Sequence, residues 1–127
     1  MSCCSDKNIL KILRGTKALS LYITLEGLGD WDLLNPPSGK EYEVWITISG
    51  PSGGASAQAT IANSDTISFI LNAYQEGNIF WDLGIYGLVV KVYLWDVPHG
   101  AEPVAAKLFE VDTCIYIYEK AECPPIC

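Results

Sequence analysis

The fold is decided by one stretch, Tyr86-Gly-Leu-Val-Val-Lys-Val-Tyr-Leu-Trp-Asp96. Leu88, Val90, Val92 and Leu94 take one set of alternate positions, and Val89, Lys91, Tyr93 and Trp95 take the other. A period of two in β-branched and aromatic residues is the pattern of a strand with one face in a core. The same period continues upstream. Leu19, Leu21, Ile23 and Leu25 alternate with Ser20, Tyr22, Thr24 and Glu26. Over 41–49, Tyr42, Val44, Ile46 and Ile48 oppose Glu41, Glu43, Trp45 and Thr47. Ala55–Ala62 alternates weakly, and Ile67, Phe69 and Leu71 form a further inward row. Ile79–Trp81 reads as a short strand.

Turn residues punctuate these runs. A long loop spans Gly27 to Lys40, Gly50-Pro-Ser-Gly-Gly54 and Asn63-Ser-Asp65 are turns, and Val97-Pro-His-Gly-Ala-Glu-Pro103 is a hairpin loop. The return strand, Val104–Glu119, changes phase. Val104, Ala106 and Leu108 are even, whereas Val111, Ile115 and Ile117 are odd, so a bulge is expected near Phe109–Glu110. Seven to eight short strands with turn signals between them predict an all-β antiparallel β-sandwich. The expected organisation is a basic N-terminal arm at 1–16, a sandwich domain at 17–119 and a Cys/Pro tail at 120–127. Within the arm, residues 6–14 read as a short helix capped by Asp6 and ended by Gly15, with an added edge strand as the alternative.

Asp82-Leu-Gly84-Ile-Tyr86-Gly-Leu88 leads into the decisive strand. Its Gly84-x-Tyr86 step resembles the tyrosine corner of immunoglobulin-like and fibronectin type III-like domains. The resemblance implies that the Tyr86 hydroxyl bonds back to nearby backbone and fixes the arch there. It covers about a quarter of the chain. No cysteine stands between Cys4 and Cys114, so the disulfide core of antibody domains is absent. An aromatic, low-charge β domain with cysteines at both ends is also similar to orphan proteins of viruses that infect hyperthermophilic archaea. That likeness implies a viral or virion component.

The chain has 127 residues, half of them apolar and 18% charged, which suits one globular domain and excludes disorder. No apolar run approaches the ~20 residues of a transmembrane helix. Net charge is −7, unevenly spread. Lys7, Lys11, Arg14 and Lys17 against Asp6 make residues 1–17 +3; four lysines against fourteen acids make the rest −10. An acidic body repels phosphate, so nucleic-acid binding by the main domain is not expected. The opening Met-Ser-Cys-Cys-Ser-Asp-Lys lacks the basic segment and apolar run of an export signal. The expected location is the cytoplasm, a host cell's included, or a virion. Cys3, Cys4, Cys123 and Cys127 are disulfide candidates, within or between chains. Unpaired thiols, a zinc site and acylation of Cys3 and Cys4 are the alternatives. Cys114 reads as an ordinary buried thiol.

Catalytic signals are weak. The single histidine, His99, sits at a hairpin tip, with Ser52 as a conceivable neighbour at the same end. Asp30 and Asp32 flank Trp31, and an immunoglobulin-like topology places their loop at the same end as Glu76 and Asp82. Such a set suits calcium or paired acid and base, but Leu33 and Leu34 stand where calcium ligands are needed. No glycine loop carries a phosphate-binding lysine. No catalytic residue, metal or cofactor is expected.

The aromatics say more. Tyr93, Trp95, Tyr116, Tyr118 and Trp45 read as facing away from the core, and Trp31 lies in a loop. Tyrosine and tryptophan on an outer face suit a protein partner, a second small core, or stacking on sugar rings. The expectation is a non-enzymatic interaction or structural module that self-associates as a homo-oligomer, the basic arm of one copy docking on the acidic body of the next. The alternative is a carbohydrate- or ligand-binding module using these aromatics. A hydrolase using loop carboxylates is the third.

Overall fold

The computed structural model describes residues 8–119. They form eight strands: β1 (Asn8–Leu13), β2 (Leu19–Thr24), β3 (Lys40–Gly50), β4 (Gly53–Ile61), β5 (Thr66–Leu71), β6 (Gly84–Asp96), β7 (Ala105–Glu110) and β8 (Thr113–Tyr118). Among the described residues there is no helix. The protein is all-β, a mixed sheet in the order β1-β8-β6-β3-β4-β5-β2 with β7 also paired to β6. β1 and β2 stand at opposite ends of that order, yet residues 14–18 alone join them. Six backbone steps reach about 20 Å at most, so the sheet must curl to bring its ends together.

The decisive stretch becomes β6, the longest strand, paired with β3 from Lys40↔Asp96 to Ser49↔Gly87. Val44, Ile46 and Ile48 of β3 and Leu88, Val90 and Val92 of β6 are buried against Ile67, Phe69 and Leu71 of β5 and Ile115 and Ile117 of β8. Among the described residues no polar or charged residue is fully buried, so burial of apolar surface holds this core. β4 explains its weak alternation. Its first seven residues pair with β3 and its last two, Thr60 and Ile61, with β5, so it turns the sheet from one neighbour to the next. Its inward residues are Ala55, Ala57 and Ala59, small enough for that bend.

Three expectations need correction. Residues 8–13, within the 6–14 segment expected as helix, form β1 instead, the edge-strand alternative, parallel to β8 from Asn8↔Thr113 to Leu13↔Tyr118. A nine-residue helix closes too few hydrogen bonds to persist alone, whereas the edge of β8 offers a full ladder. Ile79–Trp81 is turn rather than strand, and Phe80 goes into the core beside Phe69 and Tyr86. The return strand breaks at Val111–Asp112, and its inward phase is odd throughout: Ala105, Lys107 and Phe109, then Ile115 and Ile117. Lys107 can take an inward position because its ammonium reaches past the core, donating to the Leu28 carbonyl at 2.6 Å and lying 4.7 Å from the Trp31 ring centroid. Val104 and Leu108 are thereby exposed, Leu108 by 62%.

Tyr86, expected to bond back to nearby backbone, is buried at the start of β6. Its hydroxyl donates to the Asp82 carbonyl at 2.6 Å, four residues upstream. Burial, then the Asp82 charge, pushes the phenol up to about 12. Gly50 makes room for the ring, since a Cβ at that position would collide with it. Gly84 has φ +135°, and a Cβ there would stand 2.7 Å from Pro51 Cγ. Arg14 closes the turn after β1: it pairs with Glu119 at 3.0 Å and lies 4.1 Å from the Trp81 ring centroid.

Candidate interaction surface

The β3–β6 ribbon has a second face. Odd residues of both strands point away from the core, and register sets them opposite one another: Glu41↔Trp95, Glu43↔Tyr93, Trp45↔Lys91 and Thr47↔Val89. β4 adds Ser56 beside Thr47, and β7 adds Leu108 beside Lys91. All of these except Glu41, with Pro103 from the β6–β7 loop, line an open groove of about 600 Å³.

Its rings are held in place. The Trp45 indole N–H donates to Glu43 Oε1 at 2.9 Å. Tyr93 and Trp95 are 6.3 Å apart between centroids, and the Lys91 ammonium lies 5.5 Å from the Tyr93 ring. His99 stacks on Trp95 at 4.4 Å and 12°, and its Nε2 is 2.6 Å from Glu41 Oε1. The Trp95 indole nitrogen is buried and has no hydrogen-bond partner. Trp45, Tyr93 and Trp95 are all half-buried rather than enclosed. The groove therefore offers fixed aromatic surface rimmed by one acid, one lysine and two hydroxyls.

The structure divides the remaining aromatics. Tyr116 and Tyr118 stack on each other with centroids 6.0 Å apart, but Tyr116 pairs with Ile85. Eight residues of strand separate Ile85 from Tyr93, about 26 Å, so the expected single face of four rings becomes two clusters. Trp31, half-buried like Trp45 and Trp95, stands apart from the groove: its ring packs on Tyr42 with centroids 5.3 Å apart, and the Lys107 ammonium lies 4.7 Å from its centroid. Burial, then Asp30 and Asp32, raises the Tyr42 phenol above its ordinary value.

The candidate polar sets come apart as well. The 25–39 loop leads into Lys40, opposite Asp96 at one end of β6, whereas Asp82 precedes its other end. Asp30 and Asp32 therefore do not join Asp82. Asp32 instead accepts from the Asn35 side chain at 2.9 Å and the Leu34 amide at 3.0 Å, and the Asn35 bond, then the amide, lower its pKa. Ser52 bonds Asp82, and His99 bonds Glu41 at the opposite end of β6, so Ser52 and His99 form no pair. Among the described residues no group of three or more His, Cys, Asp or Glu side chains is placed to hold a metal. Cys114 is buried; Cys3, Cys4, Cys123 and Cys127 lie outside the described residues. No helix among the described residues is long and apolar enough to cross a membrane.

Sequence reasoning missed Lys91, Leu108, Pro103 and His99 as parts of the surface. Lys91 and Glu43 were legible as outward positions, but only the pairing register shows which ring each one flanks. Leu108 was hidden by the phase of β7. The chain matches no family model, no curated protein and no solved structure.

Proposed function

We propose that this chain is a non-enzymatic interaction module of immunoglobulin-like build, whose binding face is the outer side of the β3–β6 ribbon. One observation carries the reading: Trp45, Tyr93 and Trp95 form a fixed, half-open aromatic groove on the longest strand pair of the fold. Large aromatic residues left accessible on a rigid sheet are the usual anchors of protein contacts, because they bury much area at little conformational cost. The Tyr86–Asp82 bond supports the immunoglobulin-like part. The partner is a protein, in the first instance further copies of this chain, and a role as a component of a larger assembly such as a virion belongs to the same reading. Docking of the basic arm on a neighbour is the weaker version, since Arg14 is held by Glu119 and Trp81, and Lys17 lies over Tyr74 within the chain.

The second reading is a sugar-binding groove. Flat rings beside Glu43, Lys91, Thr47 and Ser56 favour it. Tryptophan emission separates the two. The protein-contact reading expects a shift with rising concentration of the chain, lost in Trp45→Ala, and no shift across a glycan panel. A saturable shift with one sugar, lost in the same variant, would establish the second reading instead.

A further inference from the structure

Lys91 sits in the middle of the groove on the β3–β6 ribbon, and its charge is not answered there. Lys40 pairs with Asp96 at 2.7 Å, and the Lys107 ammonium donates to the Leu28 carbonyl. Among the described residues the Lys91 ammonium has no oxygen partner; it lies over the Tyr93 ring. Register puts Lys91 opposite Trp45 and two residues from Tyr93. Glu43, the one acid of the groove, is already engaged by the Trp45 indole N–H. The groove therefore presents a cation between two flat rings, on a body that is otherwise strongly acidic. It suits a segment that joins a carboxylate to a flat apolar group.

Residues 120–126, Lys-Ala-Glu-Cys-Pro-Pro-Ile, carry that combination. Adjacent prolines favour the polyproline II conformation, which docks on aromatic-lined grooves at low entropic cost because it is already extended and makes no internal hydrogen bonds. Glu122 lies two residues before Pro124, about 6 Å at the rise of that conformation, close to the spacing of neighbouring side chains on a sheet face. The other proline pair, Pro36-Pro37, has Leu34 in the corresponding place, and the Pro37 carbonyl is engaged within its loop by the Lys40 amide.

The tail cannot fill the groove of its own chain. β8 ends at Tyr118, one residue beyond the Gly84↔Ile117 pair, and runs away from the groove. Ten residue spacings along β6, about 33 Å, separate that level from Tyr93. The seven links from Tyr118 to Pro125 span about 25 Å at full extension.

We propose that the groove binds residues 122–125 of a second copy, with Glu122 against Lys91 and the two prolines across Trp45 and Tyr93. The inference rests on the groove being a protein-contact surface and names what it contacts. Tail and groove stand at opposite ends of β6, so the contact is head to tail. It passes from copy to copy along a filament unless it closes into a ring.

Sedimentation of the full chain under reducing conditions tests it, at up to about 100 µM because a contact of so few residues is weak. The weight-average mass of the wild type is expected to rise with concentration past twice the 13.9 kDa chain mass. A synthetic peptide of residues 120–126, added in excess, is expected to return it to the mass of one chain. Pro124→Ser combined with Pro125→Ser is expected to give a monomer with an unchanged circular dichroism spectrum and melting temperature. Lys91→Glu is expected to abolish association, and Glu122→Lys in the same chain to restore it, which a folding defect would not allow. A wild type that stays monomeric overturns the proposal, and the glycan panel then decides what the groove holds. Association that persists in the proline variant overturns it as well; if Trp45→Ala abolishes that association, the groove reading stands with another surface of the chain as its occupant.

Discussion

The two faces of the β3–β6 ribbon are made by the same two strands, one residue apart, and they differ in kind. The inner face is aliphatic: Val44, Ile46, Ile48, Val90 and Val92, all essentially inaccessible. The outer face carries larger side chains, Trp45, Tyr93 and Trp95, and leaves them half-open. The sheet curls so that β5 and β8 cover one side only, and coverage rather than hydrophobicity separates the faces. Size alone would place the tryptophans in the core, yet branched aliphatics fill a curved interior with few voids, while rings on an open sheet keep one side accessible.

The comparison can be broken at several strengths. Ile46→Ala removes a fully buried side chain from the centre of the inner face and is expected to lower unfolding stability by about 3–4 kcal/mol in urea titrations. Gly50→Ala strikes where the inner face meets the Tyr86 ring, which must shift to admit a Cβ; a loss of about 2–3 kcal/mol is expected in the same assay. Tyr86→Phe keeps the ring and deletes the bond to Asp82, at a cost of about 1 kcal/mol near neutral pH. It also changes the alkaline limb of the stability profile. Because the folded phenol titrates at about 12, above its ordinary value near 10, the wild type holds the tyrosine's full contribution below pH 10. It loses stability from pH 10 toward 12, as the unfolded chain ionises first. The phenylalanine variant is expected to show a flatter profile in that window, read from melting temperatures at each pH.

Alternation made most strands legible, because a period of two survives wherever one face is covered. It revealed β2, β3, β5 and β6 and the outward setting of Trp45, Tyr93 and Trp95. Where a side chain serves two roles, the pattern misleads. Lys107 points inward while keeping its ammonium on a carbonyl, so β7 was read out of phase and Leu108 was lost from the surface. β1 carries a helical spacing of apolar residues, and only the open edge of β8, a long-range partner, makes it a strand. Tyr116 and Tyr118 alternate with buried Ile115 and Ile117 on the last strand, but where they stand along β6 depends on register, which composition does not encode.

The central claim is that the outer aromatic face is a contact surface and not a second core. Urea unfolding of Trp45→Ala, measured beside Ile46→Ala on the next residue of the same strand, tests it most directly. Truncating the partly covered indole is expected to cost about 3 kcal/mol, which per unit of side-chain area removed is less than half the loss at Ile46. A loss at Trp45 that matched Ile46 per unit of area, and so was about twice as large in total, would mean that the outer rings hold the fold together, and the account of that face as a binding surface would be wrong.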